Sequence, residues 1–454
     1  MQYRNVYFIG IGGIGMSALA RYFKFKGLGV GGYDRTPTAL THSLESEGIL
    51  VHYTADLSAI PDDREHTLIV YTPAIPEDFQ EMTYVREKGY NIVKRAAALG
   101  VLTQGYRCLA VSGTHGKTTT STLAAHILKA AGVDTSAFLG GISKNYSTNL
   151  LLGEGDTVVV EADEFDRSFH QLHPEIAVVT AMDADHLDIY GTLENYQEAF
   201  RIFVGQVSGH VVAKKGLPLT EKDTPAHLHT YSFEDQTAEF HPEGAHPDKL
   251  GYYHYDLVHP GGIIRNITVG VPGRLNAENS LAAAAMCLLW GLAPEKVKAG
   301  IASFKGVERR LDAHVNTEGI SYIDDYAHHP EELSSAIHSL RDMFPGRRIT
   351  GIFQPHLFSR TNDFHAEFAK ALSQLDKLIL LDIYPARELP IPGVTSEIIF
   401  KDVTAPEKVL LRKEELLDYL EKEDIDVLVT FGAGNISDYI APITSMLEGR
   451  LEKA

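Results

Sequence analysis

Two glycine-rich turns, each entered from a short apolar run and left through a helical pattern, constrain this chain more than any other feature. The first is Gly10-Ile11-Gly12-Gly13-Ile14-Gly15, after Val6 to Ile9. The second is Gly113-Thr114-His115-Gly116-Lys117-Thr118-Thr119-Thr120, after Cys108 to Val111. Strand, glycine turn and helix in that order open a parallel α/β unit, because parallel strands need a long crossover. Glycine lets the backbone close tightly and approach a phosphate, whose charge the helix N-terminus favours. Two such turns predict two polyphosphate sites on one chain.

The first turn reads as a nucleotide-diphosphate cradle formed by Gly12, Gly13, Ile14, Gly15, Met16 and Ser17. Asp34 follows about 20 residues on, where a ribose hydroxyl partner belongs. Taken alone the turn fits NAD or a tight turn without ligand, and it does not choose the nucleotide. The second turn is more specific. Amides from Gly113, Thr114, His115, Gly116 and Thr119 are expected around ATP phosphates, with Lys117 against the β/γ charge and Thr118 on Mg²⁺. It departs from the strict phosphate loop in having Val111 where the first glycine would stand. A dehydrogenase needs the first turn but not the second, and a simple ATPase the reverse. A ligase that activates a nucleotide-linked acid with ATP needs both.

Two acidic clusters end later strands: Glu161-Ala162-Asp163-Glu164-Phe165-Asp166 and Asp183-Ala184-Asp185-His186-Leu187-Asp188. Carboxylates at strand ends across from a phosphate loop are where Mg²⁺ is held. Glu161, closing its apolar run, points most directly into the crevice, and His186 is the candidate for a second cation. The bland alternative for each cluster is a solvated turn.

At 454 residues the chain calls for about three domains of roughly 150 residues. The α/β rhythm divides it into 1–105, Rossmann-like; 106–312, a phosphate-loop ATPase-like parallel sheet; and 313–454, again Rossmann-like. The Tyr- and His-rich stretch 208–270 reads as a small antiparallel patch on the side of the central block. The formal charge of −19 speaks against nucleic acid or an anionic membrane as partner. Anionic substrates must therefore meet local cations, helix N-termini or metal. Only Cys108 and Cys287 are present, which fits a reducing, cytoplasmic setting. The N-terminus is too short and glycine-rich for a signal-peptide core. No run approaches the roughly 18 apolar residues that a membrane span needs.

The motifs in combination resemble the Mur ligase family. The resemblance rests on Gly113 to Thr120, Glu161-Ala162-Asp163-Glu164, Asp185-His186-Leu187-Asp188 with Tyr190, Pro272-Gly273-Arg274-Leu275-Asn276 and Tyr326-Ala327-His328-His329-Pro330. It runs through all three blocks, from Gly10 to Gly434. Within the family, Gly10 to Ser17, Asp324 to Pro330, and Gln354-Pro355-His356 with Ser359-Arg360 resemble the branch that joins L-alanine to UDP-N-acetylmuramate. The resemblance implies ATP and Mg²⁺ as cofactors and a UDP-sugar pyrophosphate at Gly10 to Ser17, with Asp34 and Arg95 nearby. It further implies ATP phosphates and Mg²⁺ at Lys117 and Thr118, metal ligands at Glu161 and His186, and adenosine contacts at Asn276, Arg309 and Asp325. Tyr326, His328 and Arg360 would lie around the incoming amino acid, with Lys117, His328 and Arg360 as the catalytic set. A monomer or weak homodimer is expected.

Leu275 stands where the family often has histidine, Ala181 replaces a usual asparagine, and His170 a usual leucine. No lysine occurs between His186 and Lys214, so the carbamylated lysine of sibling ligases is not expected. Because the three residue sets fall on three blocks, ligand binding is expected to close the third block over the central one. Three other readings stay open. A sister ligase would attach a preformed peptide, a nicotinamide-dependent oxidoreductase would use only the first turn, and a nucleotide-binding regulator would lack turnover. His328-His329-Pro330 also reads as a plain helix start.

Overall fold

The computed structural model describes residues 3–72, 75–183, 187–386 and 388–452. Its contacts divide the chain into two compact units. The first comprises 1–241, 258–262 and 279–301, and the second 242–257, 263–278 and 302–454.

The first unit holds two sheets. In the first, β1 (Asn5–Ile9), β2 (Gly29–Tyr33), β3 (Leu50–His52), β4 (Thr67–Tyr71) and β5 (Asn91–Lys94) lie in the order β3-β2-β1-β4-β5. All neighbours are parallel. Strand order reverses at β1, so the turn after β1 opens at the switch point where such sheets bind ligands. The second sheet comprises β6 (Arg107–Ser112), β7 (Thr135–Ser143), β8 (Thr148–Leu151), β9 (Thr157–Glu161), β10 (Ile176–Val179), β11 (His210–Lys214) and β12 (His227–Tyr231). Their order is β12-β11-β10-β6-β9-β7-β8. Its central strands are buried on both faces, as the unbroken apolar runs of β6, β9 and β10 require. One apolar core serves both sheets. It includes Phe8 and Phe23 from the first, and Ala110, Phe138 and Val160 from the second. Tyr22 meets Phe138 with ring centroids 5.2 Å apart.

The 208–270 stretch departs from its reading as one antiparallel patch. Its first two strands, β11 and β12, extend the parallel sheet. Only β13 (His241–Pro247), β14 (Tyr253–His259) and β15 (Gly262–Thr268) form a separate three-stranded sheet. A two-residue link joins β14 to β15, which only an antiparallel pair permits.

The second unit carries β16 (Asp312–Asn316), β17 (Ser321–Asp325), β18 (Ile349–Phe353), β19 (Lys377–Leu381), β20 (Glu407–Leu411) and β21 (Val427–Phe431). They are ordered β16-β17-β21-β18-β19-β20. Only β16 runs antiparallel, to β17. The helices Pro330–Met343 and Phe358–Leu372 follow β17 and β18. The C-terminal ends of β17, β21 and β18 lie side by side, since Phe431 is in register with both Asp325 and Phe353. Among the described residues no helix is long and apolar enough to cross a membrane.

Candidate active site

The first turn leads straight into the helix Ile14–Phe25, with Gly13 as its N-cap and no side-chain cap. Its orphan amides are therefore available to an anion. Gly12, Gly13, Ile14 and Gly15 form the turn and first helical residues, while Met16 and Ser17 are buried beneath them. The Ser17 hydroxyl donates to the Ile14 carbonyl at 2.9 Å. Asp34 accepts the Gly12 amide at 2.7 Å and the Thr36 amide at 3.2 Å, so its carboxylate braces the turn. Arg95 starts the helix Arg95–Thr103. Its guanidinium lies so close over Gly15 that a Cβ there would stand 2.8 Å from Nη1.

The second turn sits between the ends of β9 and β10. Its strand β6 pairs with both, placing Val111 beside Glu161 and Ser112 beside Val179. Gly113 (φ 133°) and Gly116 (φ 80°) hold conformations that a side chain resists. A Cβ on Gly113 would also stand 2.1 Å from the Thr180 hydroxyl. Thr114 bonds Tyr196 at 3.0 Å and the Asp183 carbonyl at 3.1 Å. His115 is 3.8 Å from the Asp183 carboxylate. Lys117, Thr118 and Thr119 open the helix Lys117–Ala130.

Lys117 donates from Nζ to the Gly113 carbonyl at 2.7 Å and to Glu164 Oε1 at 2.8 Å. Burial opposes its charge, but Glu164, Glu161 and Asp163 outweigh that, and its pKa is raised. Burial pushes Glu164 up as well, against the pull of Lys117. For a pair held at 2.8 Å the ionised state follows, with the carboxylate of Glu164 acting as the lysine's counter-ion. Glu164 carries this partnership within a motif where sequence reasoning singled out Glu161. The spacing of the motif does not tell which carboxylate reaches the lysine.

A cavity of about 250 Å³ is lined by Ile14, Gly15 and Arg95 from the first turn's side and by Glu161 and Asp163 from the second's. Phe138, Asn149, Ser168 and Phe169 also line it, residues that no motif had flagged. The first turn thus shares a cavity with the end of β9, the strand whose Glu161 pairs in register with Val111 just before the second turn. Thr118 and Glu161 offer hard oxygen donors of the kind Mg²⁺ takes. Gly140 keeps the Glu161 carboxylate clear, for a Cβ there would lie 2.1 Å from Oε2. Glu164 Oε2 is buried without a hydrogen-bond partner. These donors fit a magnesium ion. His186, the remaining expected ligand, lies outside the described residues.

In the second unit, Arg309, Asp325, Tyr326, His328 and Arg360 gather at the strand ends. Asp325 is buried and accepts the Leu311 amide at 2.7 Å and the Ala327 amide at 2.9 Å. Burial pushes its carboxyl up to about 6, against the pull of Arg310. Arg309 donates to Asp324 at 3.0 Å and to the Gly432 carbonyl, and its guanidinium lies 5.1 Å from the Tyr326 ring centroid. Asn276 is buried and donates to the Pro272 carbonyl at 2.7 Å. Leu275, where histidine is frequent, packs against this unit's core. Arg309 (φ 61°), Leu311 (φ 45°) and Leu357 (φ 73°) hold left-handed backbone without being glycine. Such strain gathers where a fold fixes functional groups.

His328 Nδ1 lies 3.0 Å from the Tyr326 carbonyl and 3.3 Å from Glu332. Burial lowers its pKa although Glu332 opposes the shift, so the ring is neutral at pH 7. The helix-start reading of this motif also holds, since His329 is the N-cap with Pro330 in the first turn. Glu332 accepts the amides of both His328 and His329, at 2.9 and 3.1 Å. Its place three residues after the cap was the available signal. His356, 6.1 Å from His328 between ring centroids, has a buried Nδ1 without a partner. Arg360 Nη1 is likewise buried without a partner.

Comparison with known proteins places these features in one frame. The Mur ligase family catalytic domain matches 5–107, the Mur ligase middle domain 111–287, and the Mur ligase glutamate ligase domain 309–434. The chain belongs to the Mur ligase family. Among its relatives is the UDP-N-acetylmuramate–L-alanine ligase of Porphyromonas gingivalis strain W83, 51% identical over 98% of this chain and 99% of that one. The enzyme of the same description from Phocaeicola vulgatus is 50% identical, with 98% of each chain covered. The crystal structure of UDP-N-acetylmuramate–alanine ligase from Thermotoga maritima superposes with a TM-score of 0.76 at 27% identity, covering 99% of this chain and 100% of that one. A murein peptide ligase from Psychrobacter arcticus shares the Mur ligase fold at a TM-score of 0.66 and 20% identity, with 98% of each chain covered.

Proposed function

We propose that this chain joins L-alanine to the lactyl carboxylate of UDP-N-acetylmuramate, converting ATP to ADP and phosphate, in the synthesis of peptidoglycan precursors. The observation that carries the reading is a cavity shared by the first turn and the acidic strand end beside the second, on a chain half identical to ligases of that description over nearly its whole length.

A carboxylate is a poor acyl donor, so one of its oxygens first attacks the γ-phosphorus of ATP, and ADP leaves. The transfer rests on position and electrostatics. Lys117 and the amides of Gly113 to Thr119 offset the charge that develops on the phosphoryl oxygens. Thr118, Glu161 and His186 would hold Mg²⁺, which would supply further neutralisation of the phosphates. Asn276, Arg309 and Asp325 serve the adenosine side. The UDP pyrophosphate lies against Gly12 to Ser17, with Arg95 as its cation and Asp34 bracing the turn. The amine of alanine then attacks the acyl carbon, a tetrahedral intermediate forms, and phosphate leaves. Arg360 forks onto the α-carboxylate of alanine, and neutral His328 accepts the amine's proton. Tyr326 flanks them.

We assign domain limits at 105/106 and 312/313, a cytoplasmic setting that suits these nucleotide substrates, and a monomer or weak homodimer. Phosphate release from ATP with UDP-N-acetylmuramate present tests the reading. L-Alanine should support turnover, whereas a tripeptide acceptor should not. The opposite order would assign the chain to the peptide-attaching branch.

A further inference from the structure

The outer edge of the second sheet carries a cluster of imidazoles that the ligation does not use. β11 and β12 pair in parallel with His210 opposite His227. Side chains alternate along a strand, so His210, His227 and His229 emerge on one face. His210 Nδ1 and His229 Nε2 stand 3.0 Å apart. The His210 ring centroid lies 5.2 Å from that of His229 and 5.6 Å from that of His227. On its far side His229 meets Glu239, with Nδ1 and Oε2 separated by 2.8 Å.

These contacts set the tautomers. Glu239 accepts the Nδ1 proton of His229, which leaves the Nε2 lone pair turned toward His210. This is the carboxylate–histidine arrangement that orients an imidazole as a metal ligand. Two nitrogens bound tetrahedrally at about 2.0–2.1 Å from one ion stand roughly 3.3 Å apart. The observed 3.0 Å is within a few tenths of an ångström of that separation. In this pair His210 donates from Nδ1 to His229 Nε2, and an ion between the two nitrogens would displace that proton, His210 carrying its remaining proton on Nε2. No three such side chains converge on one point among the described residues. His227 is exposed on the same face, its ring centroid 5.6 Å from that of His210.

We propose that His210 and His229 form a chelating pair for a divalent cation of the zinc, nickel and cobalt class. Glu239 fixes the His229 ring, water or His227 completes the shell, and the ion pins the edge strand β12 to β11. Imidazole nitrogens suit these ions, whereas the oxygen donors at Thr118 and Glu161 suit Mg²⁺. The two sites therefore sort their metals by ligand type.

Calorimetric titration with Zn²⁺, and the visible spectrum with Co²⁺, test this on the full chain with Mg²⁺ in excess. A nitrogen-ligated ion should bind near pH 7.5 and be lost near pH 5.5, where imidazole is protonated. His210→Ala and His229→Ala should each weaken it by at least tenfold. Glu239→Gln should weaken it by about 10- to 100-fold, and His227→Ala by less than either histidine of the pair. His229→Gln keeps a hydrogen-bonding group and removes the ligand nitrogen. It should lose the ion while keeping ligase activity and the metal-free melting temperature. If His229→Gln and His210→Ala both bind Zn²⁺ as tightly as the native chain, the pair is only a hydrogen bond and the proposal is wrong.

Discussion

Lys117 and Arg360 are both cations in the first turn of a helix that follows a parallel strand, yet the fold treats them oppositely. In the first unit, Lys117 is neutralised in place by Glu164 at 2.8 Å and anchored on the Gly113 carbonyl. In the second, Arg360 has a buried Nη1 with no partner, near His356 with its own unpartnered Nδ1. Unpartnered buried donors are few in folded proteins, and each asks for an explanation. The contrast matches the roles proposed for them. A phosphate chain carries charge enough to draw Lys117 from its carboxylate, whereas a single α-carboxylate is better met by a guanidinium that already has an unpartnered donor.

The sharpest way to break this comparison is Lys117→Ala. Acyl-phosphate formation, followed by ADP release, should fall by about 10³-fold or more, while calorimetric binding of UDP-N-acetylmuramate should hardly change. Equal loss of both would merge the two turns into one site. Next, Arg360→Lys keeps the charge and removes the fork, so KM for L-alanine should rise by about 10- to 100-fold. The KM for ATP should stay as it was, and a rise there would move Arg360 to the nucleotide. Third, Glu164→Gln leaves Lys117 without its counter-ion in the ligand-free protein. Breaking a buried pair from one side costs about 3 kcal/mol, to be read from urea unfolding. An unchanged midpoint would mean that Lys117 is not held by Glu164.

The smallest expected effects concern pH, and they differ in sign between the units. Burial lowers His126, in the first unit, to about 4. The unfolded chain, with histidine near 6.5, binds the proton first, so this contribution is complete above pH 6.5 and is lost as pH falls toward 4. Burial raises Asp325, in the second unit, to about 6. Here the folded chain binds the proton first, so stability from this group is complete below about pH 4 and is lost as pH rises through 6. Denaturant midpoints across pH 4–7 should therefore tilt in opposite directions on removing each group. His126→Gln should flatten the fall at low pH, and Asp325→Asn should flatten the decline toward neutrality. The same sign for both variants would show that one of these groups does not titrate as its burial requires.

Much of the parallel architecture was legible because it rests on local chemistry. Apolar runs of four to six residues before glycine turns read as buried strands, and β1, β6 and β21 fall where those runs lie. The strands at one edge of the second sheet were not. The edge strand β12 and its neighbour β11 mix histidine with apolar residues, because strands toward an edge bury less than central ones. That alternation looks like an antiparallel strand with one wet face. Contacts across the sequence were equally hidden. The residue Asp34 stands where a ribose partner belongs, but the fold also gives its carboxylate the Gly12 amide. Phe138, Asn149 and Phe169 line the cavity without carrying any motif.

By itself the sequence determined that two glycine turns would each join a buried strand to a helix. That property depends on backbone sterics and on groups a few residues apart. Tertiary structure alone decided that Glu164 holds Lys117, that Glu161 and Arg95 share a cavity, that Arg360 keeps an unpaired donor, and that His210 faces His229. Each of these depends on strand order. A chain that returns through helical crossovers sets residues tens of positions apart within 3 Å, and no local spacing encodes which strands become neighbours.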